Sequence, residues 1–477
     1  MNLNTIGQNL HWRTIHPYIG KTSIIDESRK QEALQYLNKG RDNSRGESVE
    51  VSYYYEVIND SEPLQGLINA AKMILEHGTL KPWDREGDPS TQKPVDYDEY
   101  MSWASDIQLF AYKKDEGIES GTVTIAYPLH FFDKRDDNKI SLAQLLMAIA
   151  SEPVSAFSFY RGAKIIDITF PECLRKRFPG QRWHHKRVRE YLGLNDSDPI
   201  IGTIVKPKTG LTPELFSRCV LEAATAGANF TKADENMHLS LKDVPGYVGK
   251  VVRDLESHGF DLGRSEHPKG KRFFFAPHIT TDSDKIMEYA QAAVEAGANA
   301  LMFSPYYGGG FLKMAEIIEA FDVPIYAHTA GMNVMTGSST WGIDSRIMYV
   351  LSAYFGAAFM QITTMNGYLK PDYAEKEEIL KCLKKNNLDG EKGMTLAVAG
   401  GLGPKNIGYN MKCLGEKGRM FLAGTSVYSH PDGPGNGVKA LILAYTAYKK
   451  GQIIEVEALK EYALSMGSAG KPLLRAL

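Results

Sequence analysis

The sequence predicts an α/β protein in which a C-terminal (β/α)8 TIM barrel follows a smaller α+β (ferredoxin-like) domain. Beyond about Pro199, eight short apolar runs (IIGTIVK, ANFTKA, RFFFAPH, ANALMFS, PIYAHT, AFMQIT, TLAVAG and RMFLAG) alternate with segments of helical spacing. No GxGxxG turn follows the first run, in Ile200–Gly210, where an open dinucleotide-binding sheet would carry one. Between residues 48 and 170, strands outnumber helices and do not alternate strictly with them, which is the grammar of an α+β layer.

Taken in order, residues 1–47 form a polar N-terminal extension with a helix expected around Ile25–Leu37 and a charged stretch, KGRDNSRGES. Residues 48–170 make the first domain. VEVSYYYEVI alternates as a strand, Leu64–His77 is spaced as a helix, and IQLFAYKK and GTVTIAYPLHFF are strands. A helix over Leu142–Ala150 and a strand through Ala156–Phe170 complete it. Residues 171–198 are a linker, and 199–477 the barrel. Its helices are expected at Pro213–Ala226, Asp282–Ala296, Phe311–Phe321, Tyr373–Lys384 and Gly437–Lys449. The repeated AGAN (Ala226–Asn229 and Ala296–Asn299) marks two similar helix-to-strand turns.

Composition narrows the function. At 477 residues and 43% apolar content, two domains with real cores are expected. A net charge of −2 with interspersed signs supplies neither a basic face for nucleic acid nor a polybasic membrane anchor. Cys173, Cys219, Cys382 and Cys413 are far apart, without CxxC pairing, and read as reduced thiols. With no apolar h-region at the N-terminus and no stretch of bilayer-spanning length, a cytoplasmic location is expected.

Catalytic side chains in such barrels project from the C-terminal ends of the strands. Strand two ends in Lys232-Ala233-Asp234-Glu235, two hard oxygen ligands suited to Mg²⁺ beside a lysine. That lysine suits a cation site only if neutralised or carbamylated, and the cluster reads alternatively as a salt-bridged strand terminus. Strand one ends in Lys206-Pro207-Lys208, two lysines on one face. One buried near a metal would have its ammonium disfavoured and become a general base, whereas at an open rim both would be solvated. Gly400-Gly401 after strand seven and Gly424-Thr425 after strand eight occupy the place where these barrels cradle phosphate on backbone N–H groups, although glycines also serve turns. His328 ends strand five, either as a metal neighbour or as an ordinary polar residue satisfied by the backbone. His278, at the end of strand three, is the weaker candidate.

Together these motifs resemble the RuBisCO large-chain superfamily. IGTIVKPKTGLTPELF is similar to its KPK-bearing first strand, and GANFTKADENM to its GxDFxKxDE segment. SPYYGGGF, PIYAHTAGM, AVAGGL and LAGTSVYSHPDGPGNG resemble later segments in the right order. HGTLKPWD is similar to the family's GTW turn and GTVTIAYPLHFF to its AYPLDLF strand, so coverage runs from about Val49 to Thr446. The resemblance implies that Lys232 is carbamylated by CO₂ and holds Mg²⁺ with Asp234 and Glu235. It further implies that Lys206 handles the enolisation proton, with Lys208 its cationic neighbour. His328 matches the histidine before the arginine of HxHR. Thr79, Gly400, Gly401, Gly424 and Thr425 match one phosphate site. In the family, a partner chain's amino domain completes the site, so a homodimer or higher homo-oligomer is implied, with Thr79 and Glu152 as the contributed residues.

Departures from the pattern are as informative. The arginine after the histidine is Thr329, and the motif's downstream histidine is lost around Met332. The loop-six lysine is Tyr368, with Lys370 two positions late; its upstream histidine is Gln361, and the serine of SGG is Ala399. In the amino domain, Glu152 stands for an asparagine, and Ile74 is the nearest match to the glutamate before the GT turn. The second phosphate site and the CO₂-gating groups are missing while the metal set and enolising lysine persist, a combination that resembles form IV RuBisCO-like proteins. It implies a Mg²⁺-dependent enolase, tautomerase or isomerase acting α to the carbonyl of a monophosphorylated ketose-like substrate. The alternatives are a decarboxylase of a phosphorylated β-keto sugar acid, a true ribulose-bisphosphate carboxylase and a non-catalytic binding barrel.

Overall fold

A computed structural model describes residues 16–41, 47–83, 93, 96–131, 141–263, 270–307, 309–368 and 373–477. It divides into two compact units. One comprises the described residues between 14 and 178 together with Met332–Met348; the other those of Pro179–Gly331 and Tyr349–Leu477.

The first unit is built on strands Ser48–Ile58, Trp103–Lys113, Ile118–Pro128 and Tyr160–Thr169. They lie in the spatial order fourth, first, third, second, all antiparallel, with helices Gln65–Lys72 and Leu142–Ile149 in the crossovers, the βαββαβ order expected. Tyr53, Tyr54 and Tyr55 are all buried, so both faces of the first strand are covered. The helix at Gln65 begins after Leu64, whose φ of 82° is left-handed, and no side chain of its own caps it. Glu119, fully buried on the third strand, does so instead. Its carboxylate accepts from Leu64 N and Leu67 N at 2.7 Å and from Asn59 Nδ2 at 2.6 Å, an anion at a helix N-terminus. The same helix widens into a π-helical turn, Met73–Gly78, before Thr79.

A fifth strand, Trp341–Ile343, pairs parallel with Ala163–Ile165 and comes from the stretch that follows the fifth barrel strand. Lys164, fully buried, donates to the Thr336 carbonyl at 3.1 Å and to that of Ser338. Asp344 accepts from Arg346 Nε at 2.9 Å and from the Tyr18 hydroxyl at 2.6 Å. The described part of the N-terminal segment is therefore packed into this unit: helix Glu27–Leu37 buries Ala33 and Leu37, and Asn38 exchanges two hydrogen bonds with Ala104.

The second unit holds the barrel. Strands one to eight are Ile201–Ile204, Phe230–Lys232, Phe274–Ala276, Leu301–Phe303, Ile325–Ala327, Phe359–Thr363, Thr395–Ala399 and Arg419–Ala423, paired parallel in a continuous order. A parallel bridge between His278 and Met302, with Ile279 N donating to Met302 O at 3.0 Å, joins strand three to strand four and closes the ring. Phe230, Phe274, Tyr326, Phe359, Met420 and Leu422 fill the interior. Gly202 is closely packed there: a Cβ would sit 2.6 Å from Leu422 Cδ1, which would have to shift. The sequence reading did not anticipate helices Val244–Ser257, Ser345–Tyr354 and Ile407–Leu414. The first contains Pro245, Gly246 and Gly249, which weaken the helical signal that packing on the barrel restores. Among the described residues, no helix is long and apolar enough to cross a membrane.

Candidate active site

Strands one, two and five bring the predicted chemistry together. Side chains two apart share a face in extended backbone, so Lys232 continues the interior row begun by Phe230, and His328 the row of Tyr326. Lys232 is fully buried, its Nζ 3.8 Å from Glu235 Oε2 and 5.3 Å from the centre of the Tyr326 ring. Burial holds its ammonium pKa down to about 8, against the pull of Glu235 and Asp234. Lys206 reaches over from strand one to pair with Asp234, which is itself buried. Burial raises the Asp234 carboxyl, but Lys206 and the bond from Asn236 N at 3.0 Å outweigh it, and the net shift is downward.

His328 Nδ1 accepts from Ala330 N at 3.1 Å, so in the neutral ring the hydrogen lies on Nε2, 3.4 Å from Glu235 Oε2. Burial, then the Lys232 charge, holds its pKa well below the ordinary value. Lys208 is exposed and turned to solvent; the pairing with Asp234 is made by Lys206. Tyr326, which the sequence reading passed over, lines the same cluster. Its hydroxyl donates to Gln361 Oε1 at 3.2 Å, and its place two residues before His328 on one strand is the signal that could have found it.

After strands seven and eight, Gly400 and Gly401 take φ of 89° and 91°, and among the described residues the N–H groups of Gly400, Gly401, Gly424 and Thr425 meet no acceptor. Four such free donors can cradle an anion. Asn406 braces it, accepting from Gly403 N and donating to Gly401 O at 3.0 Å. Gly424 also admits Lys206, whose Cε lies 3.3 Å from where a Cβ would stand. Tyr368 packs over Gly401 and is 68% exposed, while Lys370 lies outside the described residues.

Thr79 and Glu152 belong to the other unit. Thr79 Oγ1 donates to Leu75 O at 2.7 Å, and exposed Glu152 opens a short helix, Glu152–Ser155, packed beside the Met73–Gly78 turn.

The donor set can be tested against Mg²⁺. Among the described residues, no three His, Cys, Asp or Glu side chains are grouped to hold a metal ion. Asp234 and Glu235 could offer two oxygens, and Lys232 would offer a third only as a carbamate. A buried amine with a depressed pKa, flanked by two carboxylates, fits conversion to a carbamate.

Comparison with known proteins bears on this arrangement. The family model for the ribulose bisphosphate carboxylase large chain, catalytic domain, matches residues 186–468, and that for its N-terminal domain matches 90–174. The chain belongs to the RuBisCO large-chain family. A ribulose bisphosphate carboxylase of Methanocaldococcus jannaschii is 28% identical over 360 residues, 72% of this chain and 81% of that protein. A 2,3-diketo-5-methylthiopentyl-1-phosphate enolase of Microcystis aeruginosa is 29% identical over 312 residues, 65% of this chain and 76% of the relative. The crystal structure of a RuBisCO-like protein from Alicyclobacillus acidocaldarius superposes with a TM-score of 0.72 at 22% identity, covering 90% of this chain and 99% of its own. The RuBisCO fold is thus shared throughout, and the chain's departures at Thr329, Gln361 and Tyr368 are consistent with the RuBisCO-like branch.

Proposed function

We propose that this RuBisCO-like enzyme enolises a monophosphorylated ketose-like substrate, with Lys206 as the base. The observation that carries the reading is the strand-end cluster itself: Lys206 paired with Asp234 beside a fully buried Lys232 of depressed pKa, with Glu235 and His328 in reach. The enolase among its relatives supports an enzyme of this class. Carbamylated Lys232, Asp234 and Glu235 would hold Mg²⁺, which when bound supplies electrostatic stabilisation to the enediolate oxygens.

The chain's own groups do the rest. Asp234 holds the Lys206 amine at the strand-end rim, and a cation bound to Asp234 would compete with that pair. The amine lies between strand one and the Gly424 turn, where as a free base it would take the proton from the carbon next to the carbonyl. The N–H groups of Gly400, Gly401, Gly424 and Thr425 hold the single phosphate. Thr329, Gln361 and Tyr368 provide no cation for a second one. His328 Nε2 stands 3.4 Å from Glu235 Oε2 and borders that carboxylate on the strand-five side. A second copy of the chain would supply Thr79 and Glu152, making the enzyme a homo-oligomer.

Deuterium uptake from D₂O tests the reading. In the presence of Mg²⁺ and bicarbonate, a ketose monophosphate accepted by the enzyme should gain deuterium at its α-carbon. Turnover of such a substrate with no exchange would overturn enolisation in favour of decarboxylation, in which loss of CO₂ itself generates the enolate.

A further inference from the structure

In the mechanism above Gln361 counts only as a residue without charge. Its place in the fold gives it more to do. Phe359, two residues earlier on strand six, lies in the barrel core, and Gln361 continues that inward row. Phe359 pairs in register with Tyr326 on strand five, so Gln361 stands two steps further on, level with His328. Tyr326 and Phe359 are fully buried beneath it, whereas Gln361 is partly exposed. Above a filled core, solvent reaches an inward side chain only through the mouth of the barrel, the end that carries Lys206, Asp234 and Glu235.

The amide is held in one orientation. Tyr326 lays its ring 5.3 Å from Lys232 Nζ and donates its hydroxyl to Gln361 Oε1 at 3.2 Å. Turning the amide over would bring Nε2 to that hydroxyl and leave the hydrogen of a fully buried tyrosine without its acceptor. The backbone is fixed as well, by the Tyr349 hydroxyl donating to Gln361 O at 2.7 Å. Gln361 Nε2, by contrast, meets no acceptor among the described residues and is not sealed off from solvent. A fixed, neutral N–H donor is therefore open to the mouth.

We infer that Gln361 is a specificity-determining residue, its Nε2 donating to an uncharged oxygen, hydroxyl or carbonyl, on the carbon chain of the ligand at the strand-end rim. An anionic oxygen is the poorer match. It would gain only a neutral donor there, with the Glu235 carboxylate just past His328, 3.4 Å from that ring's Nε2. The substrate therefore presents a polar, uncharged group to strand six. This assignment rests on the proposed function for the presence of a ligand at the rim. It goes past that reading in naming what the ligand shows to one strand.

The test compares two variants and a spectrum. Gln361→Glu keeps an acceptor for Tyr326 while replacing the Nε2 donor with an oxygen, and Gln361→Met removes the donor without adding charge. With Mg²⁺ and bicarbonate present, each should bind D-ribulose 5-phosphate or D-xylulose 5-phosphate about tenfold more weakly than the wild type, with orthophosphate affinity changed by less than about twofold. In the wild type, the side-chain ¹H–¹⁵N resonances of Gln361, identified by their absence in the variants, should shift with either ketose and stay in place with orthophosphate. Equal losses for ketose and orthophosphate, or a shift with orthophosphate alone, overturn the inference. Unchanged ketose affinity in both variants, alongside intact Lys206-dependent exchange, overturns this inference and leaves the functional reading standing. A wild type that binds neither ketose overturns the functional reading, and the role of Gln361 falls with it.

Discussion

Lys232 offers the sharpest quantitative test of the site. An ordinary lysine, with a pKa of 10.5, is neutral in roughly one part in three hundred at pH 8. With its pKa held down to about 8 by burial, Lys232 is neutral about half the time at that pH. Carbamylation consumes only the neutral amine, so Lys232 should capture CO₂ on the order of a hundredfold more readily than a surface lysine. The assay is ¹³C NMR of protein equilibrated with labelled bicarbonate and Mg²⁺ from pH 6.5 to 9.5. A single protected carbamate should appear, its formation rising through pH 8, and Lys232→Met should lack it. Because the folded pKa is depressed, the folded state binds fewer protons than the unfolded chain between pH 8 and 10.5. Lys232 alone therefore makes stability rise with pH across that window. Carbamate formation that rises only toward pH 10, or that persists in Lys232→Met, would refute the reasoning.

Three other outcomes follow from the structure. Glu119→Ala should destabilise the N-terminal unit by about 3 kcal/mol in a urea melt, because Asn59 Nδ2, Leu64 N and Leu67 N lose a buried charged acceptor; a loss below about 1 kcal/mol would contradict its capping role. Tyr18→Phe should cost about 1 kcal/mol and speed amide hydrogen exchange across Met332–Met348, since Asp344 loses a 2.6 Å bond; unchanged exchange there would refute the tie. Incorporation of labelled CO₂ into phosphoglycerate from ribulose 1,5-bisphosphate should stay at background, because none of Thr329, Gln361 and Tyr368 offers a cation to a second phosphate.

Much of this was legible because periodicity and chemistry agree where backbone geometry is regular. The eight barrel runs could be read because each buries an apolar stretch between polar turns, and the strand-end cluster because charged residues directly follow apolar ones. What resisted reading depends on contacts distant in sequence. Nothing local marks Trp341–Ile343 as a strand: it is exposed or half-exposed, and its pairing with Ala163–Ile165 is settled by Lys164 and Asp344. Glu119 as a cap for a helix some 55 residues earlier is equally invisible in one dimension. At the site, Lys206 and Lys208 look equivalent along the chain, and only the fold turns one onto Asp234 and leaves the other in solvent.

The central claim is that Lys206 moves the proton over a site built by Lys232, and solvent exchange in two variants tests it most directly. With an accepted ketose monophosphate, Mg²⁺ and bicarbonate in D₂O, Lys206→Ala should lose α-deuteration by at least a hundredfold while binding Mg²⁺ nearly as well as the wild type. Lys232→Ala should lose both exchange and Mg²⁺ affinity. Exchange at the wild-type rate in Lys206→Ala would contradict the account and place the base elsewhere.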